Sequence, residues 1–157
     1  MNMQAFLPPL AQTSTTAPLV AIDPRVDRYR EWAYSTLDEA IVLILEPHQD
    51  GVEQITRAMQ HHRQVTHLHI MAPTAPGCLY LGDTQLSRKT LEVYDLYLMS
   101  WFLSQSFNSD CYLTLYSSNL AIGTVGTDLI QSLHKLTGAT ITVSPRSLDN
   151  TWNITEI

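Results

Sequence analysis

The chain has 157 residues, a length that suits one domain, because domains usually contain about 100 to 200 residues. Hydrophobic residues make up 45% of the sequence and charged residues 15%, a balance that excludes a disordered chain. The net charge is -6 and the nine basic residues are scattered. We therefore expect no nucleic-acid partner, since phosphate binding needs clustered Lys and Arg.

Cysteines and apolar runs bear on the compartment of the protein. Cys78 and Cys111 lie in unrelated contexts, so the sequence indicates neither a disulfide framework nor a CxxC metal or redox site. The first residues lack the basic region of a signal peptide, and no apolar run reaches the roughly 18 residues of a membrane span. We therefore expect a cytoplasmic protein without membrane insertion.

The N-terminus differs in composition from the rest of the chain. Residues 1–17 are rich in Pro, Thr, Ser and Gln and have no sustained period, which predicts a flexible arm. Phe6, Leu7 and Leu10 are the apolar residues by which this arm could contact a partner. Residues 18–157 are expected to form a single α/β domain.

From residue 18 onward, short apolar runs alternate with segments of helical period. Strands are predicted at residues 19–22, 40–45, 65–71, 111–116 and 139–143, helices at 25–34, 51–61, 87–107 and 124–136, and a small hairpin at 78–81 and 83–86. Because crossovers between parallel strands are right-handed, this alternation predicts a doubly wound parallel sheet in a three-layer α/β sandwich. The strands are expected in the spatial order second, first, third, fourth, fifth, which is flavodoxin-like.

Helix ends and core stripes have local signals. Asp50, with Glu53 three residues later, has the spacing of a capping box and predicts the start of the second helix. Gly138 lies where a helix-ending glycine is expected. The core stripe predicted for the helix at 87–107 consists of Leu91, Tyr94, Leu98, Trp101 and Phe102.

Residues 111–138 have the pattern of a strand, a sharp turn and a helix. Ligands usually bind beyond the carboxyl end of such a strand. Asn119, Gly123 and Gly126 are therefore a candidate anion site, because the amides at a helix N-terminus attract negative charge. The favoured alternative is that both glycines allow the strand and the helix to pack tightly.

Two histidines lie on one face of the third predicted strand. His67 and His69 are two residues apart and could chelate a metal, but no third ligand is found nearby. Packed or capped histidines are the favoured interpretation. We expect no metal and no cofactor.

Several motifs resemble a bacterial family of domains of unknown function. They are EPHQDGVEQI at residues 46–55, HI at 69–70 followed by PGxLxLG at 76–82, YxxNLAxGxxG at 116–126, and LTGA at 136–139. The resemblance covers residues 18–145. Members of that family commonly form the N-terminal part of long surface or repeat-bearing proteins, and the family is similar to the caspase and gingipain fold. The resemblance therefore implies a caspase-like version of the predicted sandwich.

The same resemblance identifies two positions that would carry chemistry. The family has Ser-His-Gly after the third strand and Tyr-Gly-Cys after the fourth, where caspase-like hydrolases hold a His–Cys dyad. Here the corresponding segments are Ala-Pro-Thr at 72–74 and Tyr-Ser-Ser at 116–118. Pro73 cannot transfer a proton, and the hydroxyl of Ser118 needs a strong adjacent base. The resemblance thus implies that both catalytic positions are vestigial.

The favoured function is a catalytically inactive caspase-like domain that acts as a protein-binding or structural subunit. It would bind a protein partner or form a homo-oligomer. Pro73 and Pro76 make their loop stiff, so docking is expected at this loop or through the N-terminal arm.

Two other functions remain open. One is a hydrolase rebuilt around Ser118, with His48, His67 or His69 as its base. The other is a small-anion sensor at the Gly123–Gly126 helix N-terminus.

Overall fold

A computed structural model describes residues 17–105 and 110–145 of the chain. Its strands are β1 (Leu19–Ile22), β2 (Ile41–Ile44), β3 (His67–Met71), β4 (Thr74–Ala75), β5 (Cys78–Leu81), β6 (Thr84–Ser87), β7 (Tyr112–Tyr116) and β8 (Thr140–Ser144). Its helices are α1 (Tyr29–Thr36), α2 (Gly51–His61), α3 (Leu91–Ser100) and α4 (Gly123–Thr137).

Five strands form a parallel sheet in the order β2-β1-β3-β7-β8. Each neighbouring pair is parallel, and the register places Met71 of β3 opposite Tyr116 of β7. Helices alternate with these strands along the chain, so the α/β class and the predicted strand order are both confirmed. The topological switch point lies between β1 and β3. The chain passes from β1 to β2 at one edge of the sheet and then crosses back to β3 on the other side of β1.

A hydrophobic cluster packs on each face of the sheet, because successive strand residues point to opposite faces. The larger cluster joins β3 and β7 to α2, α3 and α4, and it includes Leu68, Leu113, Ile55, Leu98 and Leu129. The smaller cluster joins β1 and β3 to α1, and it includes Val20, Ile22, Trp32 and Met71.

A second, antiparallel sheet of β4, β5 and β6 is held to the main sheet by a buried carboxylate. Asp23, just after β1, accepts hydrogen bonds from Arg25 Nε at 2.8 Å and from the amide of Gly82 at 2.9 Å. Burial alone would raise the pKa of Asp23, but the Arg25 guanidinium and the Arg25 and Gly82 amides together hold it below its usual value. Asp23 therefore remains charged and fastens the hairpin to the carboxyl edge of the sheet.

Two helices differ from their predicted bounds. The predicted helix at 25–34 begins four residues later, because Asp23 and Arg25 hold the preceding residues in turns and Arg28 has a left-handed φ of 61°. The predicted helix at 87–107 is observed as α3, which begins at Leu91 and ends at Ser100, and turns follow over residues 101–104. Ser87 instead belongs to β6, where its amide donates to the hydroxyl of Thr90 at 3.0 Å.

Other local predictions agree with the structure. The side chain of Asp50 accepts from the amides of Val52 and Glu53, which caps α2 as expected. Gly138 ends α4 with a φ of 75°. Phe6, Leu7 and Leu10 of the predicted N-terminal arm lie outside the described residues.

Within residues 17–105 and 110–145, no helix has the length and hydropathy needed to span a membrane.

Candidate functional site at the carboxyl edge of the sheet

The loops that follow β3 and β7 lie side by side at the carboxyl edge of the sheet. Thr74 Oγ1 is 2.7 Å from Ser117 Oγ, and the amide of Gly77 donates to the carbonyl of Leu120 at 2.9 Å. The parallel pairing explains this contact. Because β3 and β7 are paired up to Met71 and Tyr116, the loops that follow them begin at the same edge of the sheet. The two loops therefore converge at this edge.

Three polar side chains at this edge bond to one another. Thr74 Oγ1 donates to Asn119 Oδ1 at 2.7 Å, and Ser117 Oγ lies 3.1 Å from the same oxygen. Ser117 Oγ also accepts from the amides of Asn119 and Leu120, at 3.1 and 2.9 Å. The polar atoms best placed to meet a substrate are therefore already used to hold the two loops together.

Ser118 and Pro73 are the two residues that the resemblance places at the positions of a His–Cys dyad. Ser118 is exposed, and its hydroxyl has no hydrogen-bond partner within the described parts of the chain. Pro73 is half-buried, and its carbonyl accepts from the amide of Tyr80 at 2.9 Å. Pro73 and Ser118 each follow two residues after the paired strand ends Met71 and Tyr116, so both lie in the loops at the carboxyl edge of the sheet. Neither position supplies a titrating side chain that could act as a base at neutral pH.

None of the three histidines proposed as a base for Ser118 lies at its loop. His48 follows β2, which is separated from β7 by β1 and β3, so three strand spacings of about 4.8 Å each lie between the two loops. His69 is opposite Thr114, four residues before Ser118, a rise of about 13 Å along the strand. His67 lies a further two residues back. A general base must be within about 3 Å of the hydroxyl, and this arrangement does not provide one.

His69 is instead a buried member of the sheet. Its side chain is fully buried, its Nδ1 is 2.9 Å from the hydroxyl of Tyr116, and the two rings stack with centroids 5.8 Å apart. Burial, with a smaller contribution from the charge of His67, lowers the pKa of His69 to about 4. The ring is therefore neutral at physiological pH.

His67 packs in the same way one step earlier along β3. Its ring stacks on Tyr112 with centroids 4.7 Å apart, and its Nδ1 is 2.9 Å from the hydroxyl of Thr66. Across the described residues, no three His, Cys, Asp or Glu side chains are grouped so that they could hold a metal ion. The histidine pair is thus packed, as the favoured interpretation predicted.

The two glycines of the candidate anion site have different environments. Gly126 is buried, and a Cβ there would lie 2.3 Å from the carbonyl carbon of Ala121 and 2.5 Å from the carbonyl oxygen of Leu120. Gly123 begins α4 with a φ of 73° and has open space around it. Gly126 is therefore explained by tight packing of the helix on the turn, which is the alternative that the sequence favoured.

The surface around this helix start is apolar. Ile122 and Val125 are both more than half exposed. Val125 lies beside the loop that follows β3, because a Cβ on Gly77 would be 2.9 Å from the Val125 Cβ. The neighbouring Pro76 is exposed as well. We call Pro76, Ile122 and Val125 the apolar rim. An exposed apolar surface of this kind favours contact with another protein over binding of a charged ligand.

Two features of this edge were missed from the sequence. The bonds from Thr74 to Ser117 and Asn119 join residues more than 40 positions apart, so no local signal reveals them. Ser117, however, precedes Asn119 in a polar turn, and a serine or asparagine there commonly bonds to the amides that follow. That local half of the cluster could have been predicted.

The fold and its edge define a parallel-sheet α/β domain in which the loops after β3 and β7 bond to each other at the carboxyl edge. The chain belongs to the family described as the domain of unknown function DUF4347, which it matches over residues 19–153. No curated protein matches it.

Proposed function

We propose that this chain is a catalytically inactive, caspase-like domain that binds a protein partner through the carboxyl edge of its sheet. The observation that carries this proposal is the state of the two dyad positions. Pro73 has no titratable group, and the exposed Ser118 hydroxyl has no base within the described residues. Without a base, a serine hydroxyl stays protonated and is a weak nucleophile.

The internal hydrogen bonds of the edge support the same conclusion. Thr74, Ser117 and Asn119 satisfy one another, so their atoms are not directed at an absent substrate. An active site normally leaves preorganised donors pointing toward the reacting atom. Here the donors bond to the loops themselves and tie the two loops together, which supports a structural role for this edge.

The apolar rim supplies a surface on which a partner can dock. Ile122, Val125 and Pro76 are exposed together beside this rigid edge. Burying exposed apolar area is the main driving force of association, and a rigid surface loses little entropy on binding. The partner is therefore expected to present an apolar patch of its own.

The test is affinity capture from extracts of the native cell with the full chain as bait. Val125→Asp places a charge in the apolar rim, and Gln131→Asp places the same charge on an exposed residue elsewhere on α4. We expect the wild type and Gln131→Asp to retain a common set of proteins and Val125→Asp to lose it.

Recovery of the same proteins by Val125→Asp would contradict docking at the rim. Failure of the wild type to retain any protein above an empty-resin control would contradict the binding role itself. Circular dichroism of both variants checks that the charge has not unfolded α4.

A further inference from the structure

Helix α3 is apolar on its solvent side as well as on its core side. Leu91 and Leu98 are buried, as the predicted core stripe requires. On the opposite side Val93 is 71% exposed and Leu96 is 76% exposed. A surface helix normally directs its apolar residues toward the core and polar residues toward solvent, so large apolar residues on this outer side indicate a surface that a partner could cover.

The exposed residues form a continuous stripe. The chain continues past Ser100 in tight turns, in which Leu103 donates its amide to the Ser100 carbonyl at 3.2 Å. The outer stripe consists of Val93, Leu96, Tyr97, Met99 and Leu103, all at least one third exposed. Their exposed area is roughly 500 Å², so two such stripes together would bury about 1,000 Å², which is where specific interfaces begin.

Three residues of the outer stripe, together with Ser100, have a spacing that is the same in both directions. Val93, Leu96, Ser100 and Leu103 are separated by three, four and three residues. In an antiparallel pair of α3 helices, Leu96 of one copy therefore faces Ser100 of the other, and Val93 faces Leu103 in the turns that follow the helix. A small residue opposite a large one lets two helices pack closely, because the distance between helices depends on the side chains at the contact.

A groove on the surface lies where the antiparallel pairing places Leu96 of the second copy. It lies between the ends of α2 and α3 and is lined by Met59, Gln60, Arg63, Ser100, Trp101, Leu103 and Ser104. The small side chain of Ser100 leaves the groove open. The antiparallel pairing directs Leu96 of the second copy toward it.

Charges also favour the antiparallel arrangement. The same pairing brings Glu92 of one copy to Ser104 of the other, and Ser104 Oγ donates to the Arg63 carbonyl at 3.0 Å. Glu92 and Arg63 form no ion pair within the described chain, and both are exposed. A parallel pairing would place Glu92 of one copy beside Glu92 of the other, and the two carboxylates would repel each other in a chain whose net charge is already -6.

We propose that the outer stripe of α3 is a homodimer interface, in which two antiparallel α3 helices insert Leu96 into the groove beside Ser100 and pair Glu92 with Arg63 across the two-fold axis. This interface deepens the proposed binding role by naming a second copy of the chain as one partner. It uses a helix on the larger-cluster face rather than the apolar rim.

The test is sedimentation equilibrium of the full chain and of charge variants. The wild type should be dimeric at micromolar concentration. Glu92→Arg places two guanidinium groups opposite each other, and Arg63→Glu places two carboxylates there, so each should raise the dimer dissociation constant by about tenfold or more. The double variant Glu92→Arg/Arg63→Glu restores opposite charges and should return the constant toward the wild-type value.

Leucine variants test the apolar part of the interface. Leu96→Ser should give a monomer, whereas Leu37→Ser, on another exposed leucine, should leave the dimer intact. A monomeric wild type overturns the proposal, even if a different protein covers the outer stripe. Dimerisation that survives both Leu96→Ser and Glu92→Arg also overturns it. Neither result bears on the apolar rim, whose failure would appear in the Val125→Asp capture experiment.

Discussion

His69 shows how burial decides the charge of a single side chain in this sheet. Its alternation with Leu68 and Ile70 places it on the smaller-cluster face, opposite Thr114 of β7. The ring is fully buried against Tyr116, and its pKa falls to about 4. The position and packing of His69 follow from a period-two pattern in the sequence. Its pairing with Tyr116 does not, because the register between two distant strands had to be known first.

The first prediction concerns the pH dependence that this histidine confers. The folded-state pKa of about 4 lies below the usual value of 6.5, so the unfolded chain binds the proton more readily between these pH values. Stability contributed by neutral His69 is therefore present above pH 6.5 and is lost as the pH falls toward 4. The loss should reach about 3 kcal/mol of unfolding free energy.

Urea denaturation at a series of pH values measures this loss. His69→Gln removes the titrating group and should flatten the curve between pH 6.5 and 4, while His61→Gln, on an exposed residue of α2, should leave it unchanged. An equal slope in the wild type and His69→Gln would show that His69 is not the titrating group. The contribution of Asp23 to stability is lost at lower pH than that of His69, because the pKa of Asp23 is held below its usual value of 3.8.

At the scale of elements, the close contact between α4 and the turn before it positions the candidate site. Gly126 sits on the backbone of Leu120 and Ala121, and Leu120 accepts a hydrogen bond from Gly77 in the loop after β3. The contact therefore links β7, α4 and the small antiparallel sheet at one point. A shift of α4 would move the apolar rim.

The second prediction is that Gly126→Ala destabilises the domain, even though alanine favours helix by about 1 kcal/mol. The added methyl group would lie 2.3 to 2.7 Å from backbone atoms that cannot turn aside as a side chain would. We expect a net loss of about 2 kcal/mol in unfolding free energy by urea titration. Thr127→Ala, one residue away and exposed, should change stability by less than about 0.5 kcal/mol. A neutral Gly126→Ala would mean that the helix and the turn are not packed as described.

Over the whole molecule, strand order was the most predictable feature. Five short apolar runs separated by helical segments, together with right-handed crossovers, leave few arrangements, and the observed order is the expected one. The predicted helix starts at residues 25 and 87 were wrong. The side chains of Asp23 and Thr90 form hydrogen bonds with nearby backbone groups, and these bonds compete with helix formation.

The candidate site was predictable only in part. Pro73 and Ser118 were identified by resemblance, and the parallel pairing of β3 with β7 brings the two loops that contain them to the same edge of the sheet. The bonds of Thr74 and the outer stripe of α3 required the folded chain. In the sequence, the helical period of residues 87–107 indicated only the core-facing stripe, and it assigned no role to the other apolar residues of the segment.

The measurement that tests the central claim most directly is peptide hydrolysis by the purified full chain. The substrates are a fluorogenic peptide library that varies every residue around the cleaved bond, and the matched control is Ser118→Ala. Because the Ser118 hydroxyl has no base among the described residues, we predict that the wild type releases no more fluorophore than the variant. Hydrolysis by the wild type that is abolished in Ser118→Ala would contradict a non-catalytic domain.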